Sequence, residues 1–180
     1  MGSKWIEILK EMAPQIARVG LIFDPANSSA MPFLSTIEAA APTFQVTTSR
    51  IPIASVPEID TRIAEFAATP RGSLIFVPDA FTVIHRADCI TAAARHRLPS
   101  MYTFRYFATD GGLVYYGADS VDLYRRAASY VDRILRGADP AELPVQQPTK
   151  FEFVINLRTA RALRLDVSPM LLARADQVIE

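Results

Sequence analysis

The sequence predicts an α/β fold: an open, mainly parallel sheet with helices on both faces. Three observations carry that reading. Continuous apolar runs such as Val19-Gly20-Leu21-Ile22-Phe23 and Leu74-Ile75-Phe76-Val77 stop abruptly at Asp24-Pro25 and Pro78-Asp79, as parallel strands covered on both faces do. These runs alternate with segments whose apolar residues recur at helical spacing. The connections between them are short, which suits a sheet wound by crossover helices.

Taken in order, residues 5–12 carry apolar positions at helical spacing and stop before Pro14, which gives a short amphipathic helix. Residues 18–23 form the first strand. Residues 29–41 read as a helix, and 44–49, rich in β-branched types, as a strand. The unit then repeats: a helix over 56–68 with Ile59, Ile63 and Phe66 on one face, and a strand over 73–77. A single helix over 83–96 and a strand over 98–102, entered through Pro99, follow. Asp110-Gly111-Gly112 turns into a short strand over 113–116. Residues 121–136 form the longest helix, with Gly137 placed as its stop. A proline-bounded connector, residues 143–148, leads to a last strand over 151–155, a helix over 158–163 and a short helix opened by Ser168-Pro169. The regular alternation breaks at Tyr116-Gly117. That divides the chain into a lobe, residues 1–116, and a return segment, 117–180, that packs on the lobe or on a partner.

Composition narrows the function classes. Half of the residues are hydrophobic, and 19 Lys and Arg balance 19 Asp and Glu. A neutral chain with a sizeable core has no electrostatic footprint for nucleic acid. One cysteine, Cys89, excludes an internal disulfide and a cysteine metal cluster, and its helical setting suits a small core residue. His85 and His96 stand eleven residues apart, too far for one metal on one helix, so no metal or other cofactor is expected. Arg125, Arg126, Arg133 and Arg136 are interleaved with Asp119, Asp122 and Asp132 and read as a solvated helix face. The chain holds neither a dinucleotide fingerprint nor a Gly-x-Ser-x-Gly elbow. Met1 to Trp5 has no long apolar run of the secretory kind, so the chain as written is expected to stay in the cytoplasm.

In an open parallel sheet, ligands bind beyond the carboxyl ends of the strands. Three loops fall there. The first offers Asp24, Asn27, Ser28 and Ser29, the second Asp79, Phe81 and Thr82, the third Thr103 and Phe104. Helix-start N–H groups in such loops hold anions, hydroxyl and amide side chains add donors, and Phe104 with Tyr106 supplies apolar walls. The plainer reading stands beside it: Asn27 or Ser28 caps the next helix, Asp79 is a cap or turn residue, and Pro25 and Pro78 end their strands. No catalytic residue is assigned, because none of the three loops holds a His, Cys or Lys.

Residues 139–163, DPAELPVQQPTKFEFVINLRTARAL, are the most specific stretch of the chain. They resemble the ABC transporter substrate-binding proteins of the tryptophan- and tyrosine-binding type, which are similar to type I periplasmic binding proteins. That family commonly shows a proline-bounded connector followed by Lys-Phe-Glu-Leu-Val-Ile-Asn-Leu-Lys-Thr-Ala-Lys-Ala-Leu-Gly. WIEILKEMAP over 5–14, ARHRLP over 94–99 and LLARADQVIE over 171–180 match as well. Arg164 stands where relatives usually carry glycine.

The resemblance implies one lobe of a two-lobed, non-catalytic binder of a small organic solute, amino acids among the candidates. It also implies the membrane subunits of an ABC importer as partners and a periplasmic location for the full-length family. Relatives of that type have a signal sequence and a first lobe ahead of the segment matching Trp5, and the reading expects neither in this chain. The stripe Val121, Tyr124, Ala128, Val131 and Leu135 is then expected to pack against a second copy, making a homodimer through helix 121–136. The competing reading is a single flavodoxin-like enzyme domain acting on a small carboxylate at the same strand ends.

Overall fold

The computed structural model describes residues 1–180. Its strands are β1 (Arg18–Phe23), β2 (Thr47–Pro52), β3 (Gly72–Phe76), β4 (Ser100–Tyr102), β5 (Val114–Ala118), β6 (Phe151–Asn156) and β7 (Gln177–Ile179). They make one seven-stranded sheet in the order β2-β1-β3-β4-β5-β6-β7. The pairs from β2 through β5 are parallel, β5 meets β6 antiparallel, and β6 meets β7 parallel. The main helices are α1 (Gly2–Met12), α2 (Met31–Ala40), α3 (Val56–Ala67), α4 (Ala80–Ile84), α5 (Arg86–Arg95), α6 (Arg105–Thr109), α7 (Ser120–Leu135), α8 (Leu157–Ala162) and α9 (Pro169–Ala173). No helix is long and apolar enough to cross a membrane.

Strand periodicity sends alternate side chains to opposite faces, and the two cores follow from it. Val19, Leu21, Phe23, Ile75 and Val77 join Trp5, Ile8, Leu9, Leu34 and Ile37 on the face covered by α1 and α2. Ile22, Leu74 and Phe76 join Ile59, Ile63, Phe66, Cys89 and Phe107 on the face covered by α3 and α5. Gly20 belongs to the second face. A methyl group there would come within 2.6 Å of Ile51 Cδ1 and 2.9 Å of Leu74 Cδ2. Trp5 is buried against the first face, and its Nε1 donates to the Tyr116 carbonyl at 2.8 Å, tying α1 to β5.

Several elements differ from the sequence reading, among them α6, which follows Phe104 where a loop is expected. The strand expected over 44–49 starts three residues later. Residues 41–44 instead extend α2 as a 3₁₀ turn, and Gln45, at φ 54°, closes it through Gln45 N–H to the Pro42 carbonyl and Val46 N–H to the Ala41 carbonyl. The strand then runs to Pro52, which an edge strand tolerates. The helix expected over 83–96 is two helices. His85, at φ −100° and ψ 29°, donates its N–H to Phe81 and closes α4, while its carbonyl accepts from Cys89 and opens α5. Strand β7 was not anticipated; three residues are too few for a periodicity signal.

The chain leaves the sheet at Ala118, the carboxyl end of β5, and re-enters at Phe151. Because β6 runs opposite to β5, exit and re-entry lie on the same edge of the sheet. Between them, α7 is capped by Asp119, whose Oδ1 accepts from the Val121 and Asp122 N–H groups. Asp122 is the one buried residue of the helix and pairs with Lys150 at 3.1 Å. The connector runs beside α7: Arg126 donates to the Gln147 carbonyl and Thr149 Oγ1, and the Tyr130 hydroxyl donates to the Pro144 carbonyl. The stripe Val121, Tyr124, Ala128, Val131 and Leu135 faces solvent, with Tyr124 79% and Leu135 81% exposed.

Candidate functional site

The order β2-β1-β3-β4-β5 reverses direction between β1 and β3. At such a switch point the loops leaving neighbouring strands part and open a crevice at their carboxyl ends. The two loops here are 24–29 after β1 and 77–80 after β3.

Asp79 joins them. It is 4% exposed, and its two oxygens do different work. Oδ2 accepts from the Asn27 Nδ2 amide at 2.9 Å and from the Asp24 N–H at 3.2 Å. Oδ1 accepts from the Thr82 N–H at 3.1 Å and so caps α4. Asn27 is equally occupied: its amide also reaches the Pro78 carbonyl at 3.3 Å, and its Oδ1 accepts from the Ser29 N–H and hydroxyl at 3.1 and 2.6 Å. Asp24 Oδ1 takes the Ala26 N–H at 2.8 Å. The capping roles and the positions at the strand ends therefore belong to the same residues. The helix-start N–H groups of Ser29 and Thr82 already have partners within the chain.

Above this frame lies an open hollow of about 680 Å³. Asp24, Asn27 and Ser29 line it from the first loop. Asp79, Phe81 and Ile84 line it from the second loop and α4, and Phe104 and Tyr106 from the third. Phe104 and Tyr106 stack with ring centroids 5.4 Å apart, and Phe81 meets the His85 ring at 4.7 Å. Ile84 is 72% exposed at the rim, a large apolar side chain held in water beside an aromatic wall. The carboxylates of Asp24 and Asp79 are the charged groups of the lining; no Lys or Arg contributes to it. Arg86 sits behind, its guanidinium 5.6 Å from the Tyr106 ring centroid and paired with Asp110 at 2.6 Å.

Of the nine residues singled out in the sequence, Asp24, Asn27, Ser29, Asp79, Phe81 and Phe104 border the hollow. Ser28, Thr82 and Thr103 do not. Thr82 is 1% exposed and turns its hydroxyl back to the Asp79 carbonyl at 3.1 Å. Ile84 and Val83 were passed over because a helical pattern hides which residue of a first turn looks across a cleft. The bridge from Asp79 to Asn27 spans 52 residues, and no local signal carries it.

Chemically, the hollow offers aromatic contact and a few oriented polar groups. Cys89 lies buried behind it, and burial, aided by Asp88 and Asp79, pushes its thiol up to about 12. That thiol stays protonated and unreactive at neutral pH. Burial also raises the Tyr106 hydroxyl, against the pull of Arg86. No group of three or more His, Cys, Asp or Glu is placed to hold a metal ion.

Solved structures with the same fold are two-thirds longer or so than this chain. An ABC domain in complex with L-Trp from Streptococcus pneumonia superposes with a TM-score of 0.92 at 20% identity, covering 99% of this chain and 60% of the other. A conserved domain protein from Vibrio cholerae gives 0.91 at 20% identity over 98% and 60%. The ligand-free, open structure of a substrate-binding protein with adhesive properties from Clostridium difficile gives 0.74 at 15% identity over 98% and 59%. This chain thus spans about 60% of the length of those neighbours. No curated protein matches it. The family model described as ABC transporter substrate binding protein matches residues 2–179, and the chain belongs to that family.

Proposed function

We propose that this chain is one wall of the solute site of an ABC-type importer's binding protein, acting without catalysis outside the cytoplasmic membrane. The observation that carries the reading is the open aromatic hollow at the β1/β3 switch point, framed by Asp24, Asn27 and Asp79. Phe81, Phe104 and Tyr106 take the apolar part of a small organic solute, and the free oxygen of Asp24 faces its polar or cationic end. An amino acid with an apolar side chain has that shape. The Ser29 hydroxyl, its hydrogen given to Asn27, adds an acceptor at the rim; Thr82 holds the second loop through its bonds with Asp79. The unit over 1–116 acts as the ligand lobe and 117–180 as the return segment.

The two-lobed arrangement is part of the proposal. The hollow has one wall, and α7 with its connector projects beyond the same sheet edge with its apolar stripe uncovered. A second α/β lobe seated there would complete both, and the importer's membrane subunits would receive the closed pair. For the 180-residue chain alone, the stripe instead pairs with a second copy. The flavodoxin-like enzyme reading shares the strand order but finds no His, Cys or Lys in the lining. The test is a thermal-shift and calorimetric screen of amino acids and small carboxylates on this chain and on the chain joined to a first lobe. Saturable binding that falls at least tenfold in Phe81→Ala, with no turnover of the solute, supports the reading. Binding indifferent to Phe81 and Phe104 would overturn it.

A further inference from the structure

The opposite edge of the sheet, where β1, β3 and β4 begin and α3 and α5 end, carries a second hollow of about 240 Å³. Its lining includes Arg71, His96 and Arg97 with Gln15 and Thr69, and no carboxylate. Arg71 and Arg97 both sit in the left-handed region, at φ 64° and 52°, where glycine is the unstrained choice. Arg164, at φ 58°, stands between the lining residues Leu163 and Leu165. Three arginines therefore occupy strained turn positions at one edge.

Compensation of helix ends is the ordinary use of cations there, but those ends are already served. Arg18 Nη1 donates to the Phe66 and Thr69 carbonyls at 3.4 and 2.8 Å at the end of α3. The end of α5 closes through backbone bonds, Arg97 N–H to Ala94 at 3.1 Å and Leu98 N–H to Ala93 at 3.0 Å. Arg71 uses only its Nε, on the Gln15 carbonyl at 2.8 Å, which leaves its two terminal nitrogens for another partner. The Arg97 guanidinium makes no hydrogen bond or ion pair. Asp60, which reaches the lining residue His96 at 3.2 Å, is also held by Arg95 at 2.8 Å.

We propose that this hollow binds a phosphate group through Arg71 and Arg97. Guanidinium forks match phosphate oxygens in paired, charge-assisted hydrogen bonds, and Thr69 and Gln15 add neutral polar groups at the wall. The site is separate from the solute hollow, which opens at the other ends of the strands.

The test uses this chain and its Arg71→Gly/Arg97→Gly variant. Glycine removes both charges and relieves both left-handed positions, so the variant is expected to fold with an unchanged or raised Tm, checked by circular dichroism. Calorimetry with inorganic phosphate and pyrophosphate reads a free ligand. Co-sedimentation with phosphatidylcholine vesicles, with and without phosphatidylglycerol, reads a lipid headgroup. Saturable binding to either probe that falls at least tenfold in the folded variant supports the site and names the source. Absence of binding to both probes, or binding equal in the variant, overturns it.

Discussion

Asp79→Ala tests the bridge that frames the aromatic hollow. The carboxylate is buried and accepts three hydrogen bonds, from the Asp24 N–H, the Asn27 amide and the Thr82 N–H. A bond to a charged acceptor contributes about 1.5–3 kcal/mol, and a lost N-cap costs about 1 kcal/mol. The Asn27 amide retains the Pro78 carbonyl at 3.3 Å, and the Asp24 N–H is partly reached by water, so the low end of the range applies to each. With about 1.5 kcal/mol for each of the Asp24 and Asn27 bonds and about 1 for the cap of Thr82, the sum is about 4 kcal/mol. For a chain of this size each kcal/mol moves Tm by about 2–4 °C, which gives a drop of roughly 8–16 °C. Urea unfolding measures the free energy, and a cycle with Asn27→Ala should show a coupling of at least about 0.5 kcal/mol. Asp79→Asn keeps one acceptor for Thr82 but opposes an NH₂ group to two donors, so it should recover little. A loss below about 1 kcal/mol in Asp79→Ala, or strict additivity with Asn27→Ala, would show that the loops do not depend on this bridge.

Other consequences are as direct. Burial holds Cys89 and Tyr115 protonated up to about 12, from ordinary values of 9.0 and 10.0, and raises the Tyr102 hydroxyl further; these are folded values above unfolded ones, so their contribution is intact below about pH 9 and is lost as pH rises towards 12. Urea midpoints from pH 8 to 11 should fall accordingly, and less steeply in Cys89→Ala. Gly20→Ala places a methyl group 2.6 Å from Ile51 Cδ1 and should cost about 1–3 kcal/mol by overpacking, read as a lower urea midpoint at unchanged slope. The isolated 180-residue chain should show a concentration-dependent dimer by light scattering that Tyr124→Asp/Val131→Asp abolishes without loss of helicity; a monomer at every micromolar concentration would count against the α7 stripe.

The fold was readable wherever burial leaves a periodic trace. Strands β1 and β3 are covered on both faces and appear as unbroken apolar runs, and the hydrophobic faces of α1 and α3 show their period plainly. Legibility failed where a turn decides the register. Gln45, Arg97 and Arg164 adopt a conformation usual for glycine, so neither residue type nor hydropathy marks the reversals they make. The break at His85 is invisible for a similar reason, since it rests on one residue leaving helical geometry, at φ −100° and ψ 29°. The site divides the same way. A general rule for parallel sheets located its loops, and the aromatic residues in them turned out to line the hollow. Which hydroxyl looks into the hollow and which looks away depends on pairings such as Asn27 with Asp79, made across the sheet between distant parts of the chain.

The aromatic hollow and the bare stripe of α7 are linked by strand direction. Five parallel strands end on one edge, and β6, running the other way, begins there. Everything between Ala118 and Phe151 therefore projects past the edge on which the hollow opens. A body docked on Val121, Tyr124, Val131 and Leu135 gains roughly 1.5–3 kcal/mol for each large side chain it buries, enough to offset much of an association cost of about 4–15 kcal/mol. None of that gain requires the hollow to be filled. In the proposed two-lobed arrangement the attachment and the solute contact are separate energies on one edge, and a cover held through α7 would be free to swing over Phe81 and Phe104. A solute that touches both walls favours the closed arrangement by the difference in its affinity for the two states and by nothing else. Substitutions in the stripe should then change how tightly the cover is held, while substitutions at Phe81 change how far the solute closes it.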